Sequence, residues 1–91
     1  MRFEWDPEKS AKTKALRGVS FEEAEAVFVD PYALSLYDSV HSEFEERYFR
    51  VGRINSGDIV VVIYTDRPGD VRRLISVRKA AQKELKIYYE Q

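Results

Sequence analysis

Cysteine is absent from the 91 residues, and histidine, methionine and tryptophan occur once each. Without thiols the chain has no disulfides, no thiolate metal sites and no cysteine nucleophile, which fits a reducing compartment. A single His41 among scattered carboxylates makes no recognisable metal-ligand spacing, so no metal is expected. Only four glycines are present, with no Gly-rich phosphate loop, no Ser-His-Asp order and no nucleophile elbow, so no cofactor is expected either. Long apolar runs are missing as well. The longest is Ile59-Val60-Val61-Val62-Ile63-Tyr64, far short of the roughly 18–20 residues of a membrane span. The N-terminal residues carry no signal-peptide stretch, so the expected setting is the cytoplasm, away from any membrane. Finally, residues 20–46 contain eight acidic groups and no Lys or Arg.

What is present suffices for one hydrophobic core. Hydrophobic residues make up 44% of the chain, with six Tyr and five Phe, and residues 1–91 read as a single domain. A domain of this size hides roughly 60–65% of its unfolded surface. Net charge is −1, yet residues 67–91 carry seven basic and three acidic groups. An acidic middle followed by a basic end favours an anionic partner.

The pattern predicts an α+β fold: a small antiparallel sheet, two N-terminal helices and one C-terminal helix. Arg2-Phe3-Glu4-Trp5 alternates as a short strand does. Asp6-Pro7 starts a helix that ends near Arg17 at Gly18, with Ala11, Ala15 and Leu16 expected to face inward. Ser20 and Glu23 form a capping box ahead of Phe21, Ala24, Val27 and Phe28, and Asp30-Pro31 ends that helix. Strands are predicted over Ala33–Tyr37, Arg47–Gly52, Asp58–Thr65 and Val71–Val77, joined by turns too short for parallel crossovers. Asp58–Thr65 is apolar on both faces and is placed at the centre. A last helix is expected from about Arg78 to Glu90, with Ala81, Leu85 and Tyr88 inward.

The side chains with chemical potential are concentrated late. Arg67, Arg72, Arg73, Arg78 and Lys79 sit at the ends of the last strands and the start of the last helix. Strict alternation places Arg73 on the face of Ile75 and Val77. Arginine keeps its proton, so these groups stabilise charge; Lys79, Glu84, Tyr88 and His41 are the candidates for proton transfer. Arg67 and Arg78 follow the ends of neighbouring antiparallel strands. Arg73 is therefore expected to join one of them more readily than all three are expected to converge.

Several segments together resemble the BrnT family. They are Phe3-Glu4-Trp5-Asp6, Gly18-Val19-Ser20-Phe21-Glu22-Glu23-Ala24, Val27-Phe28, Asp30-Pro31, His41 with Glu45-Glu46-Arg47, Val62 to Arg67, and Arg73 to Ala80. The resemblance implies a RelE-like fold and an endoribonuclease toxin of a type II toxin–antitoxin system, cleaving RNA without metal by 2′-hydroxyl attack. It implies a BrnA-type ribbon-helix-helix antitoxin as partner, operator DNA reached only through that antitoxin, and a dimer within the complex. On this reading Arg67, Arg73, Arg78 and Glu84 are catalytic, and Lys79, Lys83, Tyr88 and His41 bind RNA. The chain departs from the family at Thr13 and Leu16-Arg17, where Asn and Lys-His are common. The alternative reading is a catalytically weak or inactive module that docks a DNA-binding antitoxin or another partner.

Overall fold

Local capping sets the first elements. The Asp6 carboxylate accepts from the amides of Glu8 (2.9 Å) and Lys9 (3.4 Å) and opens α1 (Pro7–Arg17). Gly18 stops it with φ of 78°, a left-handed conformation that costs other residues more. Ser20 and Glu23 exchange both bonds of a capping box at α2 (Phe21–Ala24), which continues as a 3-10 turn over Glu25–Phe28. The Lys14 ammonium, 2.6 Å from Glu23, holds that carboxyl below its ordinary range.

The computed structural model describes all residues 1–91, and no helix in it is long and apolar enough to cross a membrane. Its strands are β1 (Arg2–Glu4), β2 (Leu34–Tyr37), β3 (Tyr48–Arg53), β4 (Ile59–Arg67) and β5 (Val71–Lys79), followed by α3 (Gln82–Tyr89). They form one five-stranded sheet in the order β1-β5-β4-β3-β2. The apolar run on both faces of β4 takes the centre, as its composition requires.

Four expectations need correction. The sheet is mixed, because β1 returns to the edge of β5 and pairs with it in parallel, Arg2 opposite Val71 and Glu4 opposite Arg73. The last helix does not begin at Arg78. Arg78 and Lys79 extend β5, paired with Val61 and Val60, and the helix starts at Gln82 once the ladder is used up. In α1 the buried residues are Ser10 and Thr13, while Leu16 is 84% exposed. Ser10 is drawn in because its hydroxyl accepts the buried amide of Phe21 at 3.0 Å, fastening α1 to the start of α2. Arg73, finally, does not share a face with Val77. Ile63 pairs with Ser76 and Tyr64 with Leu74, so Ile75 is an extra residue, a β-bulge that resets the alternation of β5.

Each sheet face has its own core. One is covered by α1, α2 and the 3-10 turn, and its cluster includes Phe21, Val27, Val60, Val62, Leu74 and Val77. Gly52 lies there because a Cβ on it would stand 2.8 Å from the Val27 Cβ. The second face buries Val51, Ile59 and Val61 against Tyr88 of α3.

Candidate functional site

α3 is eight residues long and covers only part of the second face. Beyond it Phe49 and Ile63 remain half-buried and form the floor of a cleft of about 350 Å³. One wall is the loop between β2 and β3, contributing Asp38, Val40 and His41. The other is Arg78 of β5 with Lys83, Glu84 and Ile87 of α3.

His41 is held by its own loop. Its Nδ1 lies 2.7 Å from Asp38 Oδ2, with the imidazole 53% and the carboxylate 10% exposed. Asp38 Oδ1 also accepts the His41 amide at 3.3 Å. The Ser42 hydroxyl closes the loop, donating to the Asp38 carbonyl at 2.6 Å and accepting the Arg47 amide at 2.9 Å. Nδ1 is thereby occupied by a carboxylate, and Nε2 has no protein partner. This is the arrangement that orients an imidazole for proton transfer. From the sequence His41 reads as a histidine between carboxylates, Asp38 and Glu43, and the structure selects Asp38, three residues before it, as the partner.

Across the cleft, Glu84 is 5% exposed. Its Oε1 accepts from Arg78 Nη1 at 2.9 Å and from the Ala81 amide at 2.7 Å, capping α3, and Lys83 Nζ lies 3.9 Å from Oε2. The Arg78 hydrogen bond, outweighing burial, holds the Glu84 carboxyl below its ordinary range. A carboxylate engaged in this way is a poor proton acceptor. It fixes Arg78, whose guanidinium remains partly open to the cleft.

Arg67 and Arg73 meet elsewhere on the same face. Both reach Glu4 Oε1, at 3.7 and 3.5 Å, and Arg67 also lies 3.5 Å from Glu45. The shared face follows from register: Arg73 pairs with Thr65 and Arg78 with Val61, alternate residues of β4. Five residues along β5 separate the two arginines by about 16 Å at 3.3 Å per residue, so three arginines do not converge at one point.

Three other candidates lie outside the cleft. Lys79 pairs with Val60 on the opposite face and sits 3.8 Å from Asp58. Tyr88 is buried, and its hydroxyl donates to Asp30 at 2.8 Å, so its ring packs the core and offers no stacking surface. Arg72 lies over the Tyr64 and Phe28 rings, doubly bonded to Asp66. No three His, Asp or Glu side chains are grouped to hold a metal ion.

Residues 5–84 match the family model described as the ribonuclease toxin BrnT of type II toxin–antitoxin systems. The chain belongs to the BrnT family. Its fold is similar to that of the ribonuclease toxin BrnT from Brucella abortus, known at 1.1 Å, with a TM-score of 0.70 and 24% identity over 90% of this chain and 99% of that one. No curated protein matches it significantly. Family membership makes this a toxin–antitoxin ribonuclease toxin with an antitoxin as partner. The departures from the family pattern, Thr13, Leu16 and Arg17, do not line the cleft; Arg17 instead donates to the Val77 carbonyl at 3.1 Å.

Proposed function

We propose that the cleft between the His41 loop and α3 cleaves RNA endonucleolytically by attack of a 2′-hydroxyl on the neighbouring phosphorus. His41 Nε2 takes the 2′-proton, the 2′-oxygen bonds to phosphorus and the bond to the 5′-oxygen breaks. The leaving oxygen draws its proton from solvent in the open cleft, and the products carry a 2′,3′-cyclic phosphate and a 5′-hydroxyl. Arg78 and Lys83 stabilise the negative charge that builds on the phosphoryl oxygens, a contribution of about 2.7–4 kcal/mol for one well-placed donor. Glu84 positions Arg78, and Asp38 positions His41. Arg67 and Arg73 hold a phosphate further along the RNA.

The observation that carries this reading is the carboxylate-held His41 sharing one cleft with Arg78 and Lys83. The chain itself thus supplies a proton acceptor and cationic groups, so the proposed reaction is metal-independent. The partner on this reading is a BrnA-type ribbon-helix-helix antitoxin that reaches operator DNA, with a dimer in the complex. The setting is the cytoplasm, and the RelE-like class rests on the family resemblance.

The test is purified protein with a defined RNA in excess chelator, alongside the same RNA carrying one 2′-deoxynucleotide at the cut position. Cleavage should persist in chelator, leave cyclic phosphate ends and stop at the deoxy position. His41→Ala should lower it by about 10²–10⁴-fold. Wild-type protein that arrests growth while His41→Ala arrests it equally would refute the assignment and favour a non-catalytic docking module.

A further inference from the structure

Six of the ten exposed large hydrophobic side chains fall within residues 29–44: Val29, Tyr32, Leu36, Tyr37, Val40 and Phe44. Phe44 is the most exposed of them at 94%. Of these, Leu36 lies on the same sheet face as Phe49 and the cleft, and Val40 and Phe44 line one surface of the following loop; apolar side chains left exposed in this way mark an interaction surface. The segment runs along the open side of the sheet, because β2 is an edge strand that pairs with β3 alone. Its outer backbone groups are therefore free to bond another chain. The same stretch, residues 20–46, has eight acidic groups and no Lys or Arg, and Glu43 is exposed beside Phe44 without an ion-pair partner.

We infer that β2 and the following loop, from Leu36 to Phe44, form the docking surface for a basic, extended polypeptide segment with large apolar anchors, supplied by the antitoxin. The inference rests on the toxin–antitoxin reading. Charge complementarity selects the occupant: Glu43 and Glu46, exposed and without an ion-pair partner, repel RNA, and a second copy would present the same acidic surface to itself. A basic strand added to β2 gains main-chain bonds, covers Leu36 and Phe44, and meets Glu43 with opposite charge. Because His41 lies between Val40 and Phe44, a segment seated there closes the mouth of the cleft. Binding and inhibition become a single event.

The experiment uses the full chain and the product of the reading frame adjacent to its gene, with affinity measured by titration calorimetry at two salt concentrations. RNA cleavage is followed in parallel. The variants are Phe44→Ser combined with Leu36→Ser, and separately Glu43→Lys. The double variant should keep wild-type cleavage, bind at least about tenfold more weakly and escape inhibition. Glu43→Lys should weaken binding and flatten its salt dependence. Wild-type affinity in the double variant overturns the inference while leaving the ribonuclease reading intact. So does a concentration-dependent dimer of the free chain that the double variant abolishes, which would assign the surface to self-association, and so does loss of RNA binding in that variant. A wild-type chain that neither cleaves RNA nor binds the neighbouring product overturns the inference together with the reading beneath it.

Discussion

Replacing Glu84 separates a positioning carboxylate from a catalytic base. Its Oε1 accepts two hydrogen bonds, from Arg78 and from the Ala81 amide, and the side chain is almost fully enclosed. Glu84→Gln keeps the shape and an acceptor for the Ala81 amide but removes the charge facing Arg78. A hydrogen bond to a charged group contributes about 1.5–3 kcal/mol, and the partly open guanidinium argues for the lower figure. In a domain of this length about 1.5 kcal/mol lowers Tm by roughly 6–12 °C. Glu84→Ala also leaves the amide unpaired and should cost about 3 kcal/mol. The pH dependence gives a sharper reading. The carboxyl is held below its ordinary value, so its stabilisation is fully present above the unfolded pKa and is lost as pH falls through the folded one. Urea denaturation of wild type and Glu84→Gln should therefore show a gap at about pH 6–7 that starts to narrow as pH falls through the ordinary carboxyl range and closes only once the folded-state carboxyl is protonated as well. A gap of equal size at pH 3 and pH 7 would refute the charge argument. A cleavage loss as large as that of His41→Ala, with Arg78 still in place, would refute the positioning role.

Three further outcomes follow from the same geometry. His41→Ala should lower cleavage by about 10²–10⁴-fold, the usual range for a lost general base, with Tm nearly unchanged because the ring is half exposed; single-turnover rates and a thermal melt measure both. Arg78→Ala should cost about 10²–10³ in rate, whereas Arg73→Ala should cost tenfold or less and act mainly on KM; equal losses would mean that the two ends of the face work as one site. Gly52→Ala should destabilise by about 1–3 kcal/mol in denaturant titration, because the new methyl meets Val27 across a face with no slack.

The parts of the fold that were legible in the sequence were those set by local chemistry. The Asp6-Pro7 start, the Gly18 stop, the Ser20–Glu23 box and the two-faced run of β4 each announce themselves within a few residues. What was not legible depended on residues distant in sequence. Ser10 is buried only because the Phe21 amide needs an acceptor, and no periodicity argument finds that. Arg78 and Lys79 belong to a strand because β4 is long enough to pair with them. Of the candidate side chains, the structure gathers His41, Arg78, Lys83 and Glu84 around one cleft, which their order in the chain does not reveal. Tyr88 and Lys79 are separated from it by direction alone: one points into the core and the other out of the opposite face.

The bulge at Ile75 decides how the cationic side chains are distributed. Under strict alternation from Val77, Arg73 would share the face of Val77, beneath the helical layer, and Arg72 would lie with Arg78. One extra residue exchanges them. Arg72 moves to the covered face, where Asp66 and the rings of Tyr64 and Phe28 occupy it, and Arg73 joins Arg78 on the face that α3 leaves partly open. The consequence is one open face with two cationic stations about 16 Å apart along β5. Each station is held by a carboxylate from another element, Glu84 for Arg78 and Glu4 for Arg73. Only the first also has a histidine beside it. That asymmetry is why chemistry is assigned to the α3 end and grip to the β1 end of the same strand.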